Sequence, residues 1–243
     1  MKKIIVLVFI MLFTFIAFNY HKVNAYGFGF KRNNDHNVPD IGFYKNIIEE
    51  NNGYYVGNPN NVYLTFDVGY DNGHLEKYLD ILKKENVKAT FFVTGDFVKR
   101  FSSLLVRMYE DGHLICNHSY SHKTINSLSA EELSNDLTKL ESAYFDKIGV
   151  KMARIFRPPE GQFDEKSLKS LKKMGYKTIF WSIAHVDWKN SNMKSYDNIV
   201  NNLHDGAIIL LHTVNEDNYQ NLSKIINYIK NNGYELATVD KIV

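Results

Sequence analysis

Short apolar runs alternate with longer amphipathic stretches from residue 62 to the C-terminal end, and this alternation constrains the fold more than any other feature. Apolar runs of about five residues are typical of buried strands, and the stretches between them have the periodicity of helices. Such alternation indicates parallel β–α units. The predicted strands span residues 62–66, 89–93, 114–116, 153–156, 178–183, 207–211 and 235–239. The predicted helices span residues 73–85, 97–111, 130–148, 165–174, 196–203 and 219–231.

These units predict an α/β fold in which about seven parallel strands form a barrel with surrounding helices, related to the eightfold (β/α) barrel. An open doubly wound sheet is the alternative arrangement. No glycine-rich phosphate loop follows the first predicted strand, which disfavours nucleotide binding.

The N-terminal segment has the features of an export signal. Lys2 and Lys3 precede an apolar run over residues 4–18, and Ala25 offers a small residue for cleavage. The run is shorter than the roughly 20 residues that span a bilayer. We therefore predict a signal peptide over residues 1–25 and a secreted or cell-wall-associated protein, with an uncleaved membrane anchor as the alternative.

Two further segments follow the predicted signal. Residues 26–61 are rich in Gly, Asn and Tyr, and they predict an N-terminal strap with one short helix at 44–50. The main domain spans residues 62–243.

Charge and cysteine content narrow the possible partners. Loss of residues 1–25 removes three lysines and no acidic residue, so the formal net charge falls from +2 to −1. Nucleic-acid binding usually needs a strong basic excess, so we expect no nucleic-acid partner. The single cysteine, Cys116, cannot form an intramolecular disulfide, and we predict that it is buried in a strand.

Ionisable residues follow five of the predicted strands. In parallel β–α folds, active sites form at the carboxyl ends of the strands, so these residues are expected at one rim. Each residue alone is also compatible with a turn or with ordinary packing. The residues are Asp67, the pair His118 and His122, Arg157, Asp187 (followed by Trp188) and His212.

His118 and His122 form the best candidate for a metal site. Two imidazoles four residues apart on one helical turn can reach the same ion, although such a pair also occurs with a purely structural role. A catalytic zinc normally has three protein ligands and a water, so a third ligand is needed near Asp67.

The order of these residues resembles the motifs of the polysaccharide deacetylase family, also called carbohydrate esterase family four or the NodB-homology domain. The resemblance covers residues 62–243, and it implies a distorted (β/α) barrel that removes N-acetyl groups from amino sugars. The matching motifs are Thr65-Phe66-Asp67-Val68-Gly69, His118-Ser119-Tyr120-Ser121-His122, Arg157-Pro158-Pro159-Glu160-Gly161, Asp187-Trp188 and Leu211-His212.

Further motifs resemble the delta-lactam-biosynthetic de-N-acetylases of spore-forming bacteria. They lie at residues 64–73, 89–95, 117–119, 180–188 and 210–214. This resemblance implies a monomeric enzyme that deacetylates muramic acid in peptidoglycan glycan strands of the spore cortex, after an amidase has removed the stem peptide. The alternatives are deacetylation of N-acetylglucosamine in peptidoglycan or another polysaccharide, and an inactive glycan-binding module.

The family's roles for these residues carry over by position. The resemblance implies a divalent ion, with zinc expected, on His118 and His122, which would polarise the acetyl carbonyl. Asp67 is the expected general base and His212 the expected general acid. The remaining implied roles are orientation by Arg157 of a carboxylate, either Asp67 or Asp187, an oxyanion donor in the backbone N–H of Glu160, and a sugar groove lined by Tyr120 and Trp188.

Two positions depart from the general family pattern. The family has a metal-binding Asp where this chain has Val68, and often has an Asp where it has Ala184. Both departures resemble the delta-lactam subgroup. They imply weak metal binding unless Asp71, Asn72 or His185 supplies a ligand.

Overall fold

The computed structural model describes residues 25–30, 36–185, 187 and 194–242. Its strands are β1 (Tyr26–Gly27), β2 (Gly53–Tyr54), β3 (Asn61–Val68), β4 (Thr90–Val93), β5 (Leu114–Asn117), β6 (Ile155–Phe156), β7 (Gln162–Phe163), β8 (Lys177–Ile179), β9 (Ile183–Ala184), β10 (Ile208–His212) and β11 (Glu235–Leu236). Its helices are α1 (Tyr44–Glu50), α2 (Leu75–Lys84), α3 (Gly95–Arg100), α4 (Ser102–Glu110), α5 (Ala130–Ile148), α6 (Glu165–Lys173), α7 (Ser195–Asn202) and α8 (Glu216–Asn231).

The main sheet is parallel and curls into a half-barrel. Its strand order is β2-β8-β6-β5-β4-β3-β10-β9, and β11 also pairs with β3. Helices pack around the sheet, which confirms the predicted distorted (β/α) barrel. Because all neighbouring strands in this order are parallel, their carboxyl ends lie along one rim.

The central strands are buried because helices cover one face of the sheet and side chains of the strands pack together on the other. The apolar positions of β3, β4 and β10 have almost no exposed surface. Cys116 lies in β5 and is fully buried, as predicted. Burial also raises the pKa of its thiol, so the residue behaves as a small apolar side chain.

Two predicted elements are divided in the structure, and the last predicted strand ends early. The run at 178–183 divides into β8, which pairs with β6, and β9, which pairs with β10. One stretch of chain therefore contributes strands near both ends of the curled sheet. The helix predicted at 97–111 is interrupted at Phe101, whose backbone is not helical. The last predicted strand ends at Leu236, and a 3₁₀ turn follows at Val239–Lys241.

The segment before residue 62 packs onto the barrel. Its α1 helix has the bounds that the sequence predicts, and β2 adds a strand at one edge of the sheet. The short strand β1 pairs with β7, and Phe28 packs against Phe180 and Trp181. The predicted signal at 1–25 lies outside the described residues except for Ala25. Among the described helices, none has the length and apolarity to cross a bilayer.

Candidate active site

Neighbouring strands bring the candidate residues to the same level of the rim. In the register of β3 and β10, Asp67 lies directly opposite His212. In the register of β5 and β6, Asn117 lies opposite Phe156, so His118 and Arg157 follow at the same height. These four residues therefore converge at one level of the rim, as the sequence predicts.

Asp67 is held by a buried arginine. Arg157 Nη1 donates a hydrogen bond of 2.9 Å to Asp67 Oδ1, while its Nε and Nη2 donate to the carbonyls of Ile179 and Phe180. Arg157 is fully buried, and its guanidinium lies 4.1 Å from the ring centre of Phe92. Burial alone would raise the pKa of Asp67, but the charges of Arg157, His118 and His212 outweigh it and lower that pKa. Asp67 is therefore a carboxylate at neutral pH.

The contacts and burial of His118 favour the neutral imidazole. Its Nδ1 lies 2.9 Å from the carbonyl oxygen of Arg157, and a carbonyl only accepts, so Nδ1 carries the proton. Its Nε2 then holds a lone pair and lies 3.6 Å from Asp67 Oδ2. Burial lowers the pKa of His118 to about 4. The exposed ring of His122 lies 5.0 Å away, between ring centres.

His212 pairs with a buried carboxylate instead. Its Nδ1 donates to Asp187 Oδ1 at 2.6 Å, and Asp187 Oδ2 accepts from the His212 backbone N–H and from Asn218 Nδ2. Burial lowers the pKa of His212, but the hydrogen bond and the charge of Asp187 outweigh it, so that pKa is raised. Asp187 therefore orients His212, whereas Arg157 orients Asp67.

These residues open into one cleft of about 490 Å³. Tyr70 stands at its edge with 52% of its surface exposed, and Arg100 and Asp96 form an exposed ion pair of 3.0 Å at the rim. The cleft is lined by Asp67, Gly69, Tyr70, Thr94, Asp96, Arg100, His118, His122, His212 and Val214. Tyr70, Asp96 and Arg100 were not predicted as site residues, although Tyr70 follows β3 and the helix that carries Asp96 and Arg100 follows β4.

Other predicted site residues lie elsewhere. Tyr120 is half-buried against Gly95 and 4.2 Å from Lys139 Nζ, and it is not among the residues that line the cleft. This packing gives the ring a structural role and does not support the predicted sugar contact. Glu160 is exposed, with its side chain held by Gln162, and it also lies outside the lining, so the role of its backbone N–H stays a prediction. Trp188 lies outside the described residues.

The three possible compensating ligands have other contacts. Asp71 Oδ1 accepts the backbone N–H groups of His74 and Leu75 at the start of α2. Asn72 Nδ2 donates to the carbonyl of Val214. His185 is buried outside the cleft lining.

The donor set fits a divalent ion only in part. His118 presents Nε2 with its tautomer fixed from behind, as metal-binding histidines usually do, and His122 is its neighbour. Val68 is packed in the apolar core. Within the described ranges, no three His, Cys, Asp or Glu side chains cluster as a metal site. Two imidazoles therefore fit a weakly held ion, and they do not fit a zinc with three protein ligands.

Comparisons with known proteins agree with this geometry. Residues 55–179 match the family described as polysaccharide deacetylase. This chain belongs to the polysaccharide deacetylase family. The peptidoglycan-N-acetylmuramic acid deacetylase PdaA of Bacillus subtilis is 42% identical over 222 residues, which are 88% of this chain and 84% of that relative. The structure of B. subtilis PdaA, a family 4 carbohydrate esterase, has a TM-score of 0.85 and covers 90% of this chain and 97% of its own.

Two further members of the polysaccharide deacetylase family mark the range of functions. A peptidoglycan-N-acetylglucosamine deacetylase of Bacillus cereus is 35% identical over 76% of this chain and 90% of its own length. A family 4 pseudoenzyme from Bacillus anthracis has a TM-score of 0.72 at 30% identity, over 78% of this chain and 68% of its own. The predicted family is confirmed, and the chain is a polysaccharide N-deacetylase.

Proposed function

We propose that this enzyme deacetylates N-acetylmuramic acid in peptidoglycan glycan strands from which an amidase has removed the stem peptide. The observation that carries the proposal is the convergence of Asp67, His118 and His212 in one open cleft. A carboxylate base, a neutral imidazole and an imidazole with a raised pKa are groups that can catalyse amide hydrolysis together.

The first step uses Asp67. Its lowered pKa keeps the carboxylate ionised, and the Arg157 hydrogen bond to Oδ1 leaves Oδ2 on the side of His118. In this mechanism Oδ2 accepts a proton from a water as the water attacks the acetyl carbon. When held by His118 and His122, a divalent ion would supply Lewis-acid polarisation of the acetyl carbonyl.

The second step uses His212. Its raised pKa makes the imidazolium more populated than in an ordinary histidine, and Asp187 stabilises that charge through Nδ1. Because Nδ1 is engaged by Asp187, proton transfer to the leaving amine falls to Nε2. Breakage of the C–N bond then releases acetate and the free amino sugar.

Several features support peptidoglycan as the substrate. PdaA, named for N-acetylmuramic acid, is 42% identical to this chain. An export signal at residues 1–25 would deliver the enzyme, as a secreted or cell-wall-associated monomer, to the compartment that holds peptidoglycan. An exposed tyrosine such as Tyr70 offers a flat face for a sugar ring. The resemblance to the delta-lactam subgroup supports a reaction in the spore cortex during sporulation.

The test is mass analysis of glycan fragments after treatment with the purified protein. We expect loss of acetyl groups from muramic acid in glycan that an amidase has stripped, and little loss from intact wall. Loss from glucosamine instead would establish the second candidate, which the B. cereus relative favours. Binding of glycan without acetate release would identify an inactive module.

A further inference from the structure

The loop between His118 and His122 has an unusual backbone. Ser119 and His122 have φ values of +71° and +55°, which lie in the left-handed region. A residue with a Cβ in this region is strained by about 1 kcal/mol or more, and such strain persists only where surrounding contacts enforce it. The candidate ligand pair therefore depends on whatever holds this loop.

One carboxylate on the neighbouring helix makes three contacts with the loop. Asp136, in α5, accepts the Ser119 hydroxyl and the Tyr120 backbone N–H on Oδ2, both at 2.7 Å. Its Oδ1 accepts the Ser121 backbone N–H at 3.1 Å. Three consecutive residues between the two histidines are thus bound to one side chain.

Ser119 passes this restraint to the second histidine. Its Oγ donates to Asp136 and accepts the His122 backbone N–H at 3.0 Å. Asn117 adds a second link to the same helix, because its side chain accepts the Ser119 N–H and donates to the Leu137 carbonyl. Both links end on adjacent residues of α5.

The helix is a suitable anchor. It runs for 19 residues, begins with a capping box between Ser129 and Glu132, and ends at Gly149 in the left-handed conformation. Leu133, Leu137 and Leu140 are buried beneath it. A side chain on this helix is therefore held more firmly than one on the exposed loop.

A carboxylate suits this position better than an amide. Three donors converge on two oxygens, and Asn offers only one acceptor atom. In an Asn variant the amide NH₂ would face either the Ser121 N–H or the pair formed by Ser119 and Tyr120. At least one donor then loses its partner.

We propose that Asp136 is a positioning residue that sets the spacing of His118 and His122 from outside the cleft. This inference rests on the roles proposed above for the two histidines. Asp136 itself does not line the cleft, so its effect is transmitted through the loop.

The kinetic test compares variants of Asp136 with a matched control on the same helix. We expect kcat to fall about tenfold in D136N and about 100-fold in D136A, with KM nearly unchanged, as for other residues that support metal ligands. D136E keeps both oxygens and should retain more activity than D136N. D146N removes the same charge from an exposed site on α5 and should match the wild type.

A second measurement does not depend on catalysis. In ¹H–¹⁵N spectra of the histidine rings without added metal, we expect the signals of His118 and His122 to shift in D136N and in S119A. The signals of His212 should stay in place in both variants and in D146N. Circular dichroism and thermal melting establish that each variant is folded.

The outcomes separate this inference from the proposed function. If folded D136A has the kcat and the ring spectrum of D146N, Asp136 does not position the histidines. If the wild type releases no acetate from any glycan, the proposed function fails, and the ring spectra alone still decide the role of Asp136. A fall in D136A activity that matches a fall in its folded fraction would also overturn the inference.

Discussion

Two histidines face Asp67 from opposite sides, and the structure prepares them for opposite tasks. His118 donates its Nδ1 proton to a backbone carbonyl, and burial lowers its pKa to about 4. His212 donates its Nδ1 proton to the carboxylate of Asp187, which raises its pKa despite burial. The acceptor behind the ring therefore decides whether the imidazole offers a lone pair or a proton.

The largest effect is expected from the carboxylate that both histidines share. Asp67→Asn should lower kcat by about 1,000-fold or more, because the base for the attacking water is lost. Acetate release at saturating substrate measures the change. Because Arg157 would be buried opposite a neutral side chain in this variant, circular dichroism must establish that the variant is folded. A folded variant with undiminished turnover would remove Asp67 from the mechanism.

The next largest effect is expected from His212, the histidine that donates a proton. His212→Gln should lower kcat by about 100- to 1,000-fold, because the leaving amine loses its acid. His36→Gln, at an exposed position outside the cleft, is the matched control. Equal acetate release by the two variants would assign the acid role elsewhere.

The raised pKa of His212 also makes a prediction about pH. An acid must be protonated to act, so activity should be lost as pH rises through the pKa of His212. Asp187→Asn removes the carboxylate that contributes most to raising this pKa, so the alkaline limb of the kcat profile should move to lower pH and kcat should fall about tenfold. An alkaline limb at the wild-type position would separate Asp187 from the titrating group.

The lone pair of His118 predicts that the activity is sensitive to chelators. Treatment with a chelator should lower kcat about tenfold, and zinc or another divalent ion should restore it, because in the proposed mechanism two imidazoles would hold the ion. His122→Ala should abolish the restoration at the same ion concentration. Full activity after exhaustive chelation would show that the imidazoles act without a metal.

The smallest effect is expected at His113, a buried histidine outside the cleft that can be compared with His118 and His212. Burial also lowers the pKa of His113 to about 4, and its Nδ1 accepts the Ala89 backbone N–H. In the unfolded chain the pKa of a histidine is near 6.5. The neutral, buried His113 therefore contributes its full stability to the fold above pH 6.5, and this contribution is lost as pH falls toward 4.

His113→Asn removes this titration and should not change activity at neutral pH. Between pH 7 and pH 4.5, the free energy of unfolding of the wild type should fall by about 2 kcal/mol more than that of His113→Asn. Urea unfolding at the two pH values measures the difference. Parallel losses would mean that the pKa of His113 is the same in the folded and unfolded states.

The sequence predicted the fold and the rim because both depend on local pattern. Apolar runs located the central strands, and the residues that follow them, Asp67, His118, Arg157 and His212, converge as expected. The pairing of strands that are distant in sequence could not be predicted from this pattern. The run at 178–183 reads as one strand, and only its two different partners divide it into β8 and β9.

Pairing between side chains was also beyond the sequence. Arg157 had two possible carboxylate partners, and the structure gives it Asp67 because Asp187 is already enclosed by His212 and Asn218. Tyr120 was expected at the sugar groove, but its ring lies against Gly95, where a side chain would collide with it. Such choices depend on which neighbours meet in space, and spacing along the chain does not encode them.

The single cysteine has a practical consequence. Cys116 is enclosed in β5, and its thiol is held in the protonated, unreactive form. A maleimide dye or nitroxide added to the folded native protein should therefore find no site. One engineered surface cysteine would then carry the entire fluorescence or spin-label signal, so movements of the loop between His118 and His122 can be followed without first deleting a native residue.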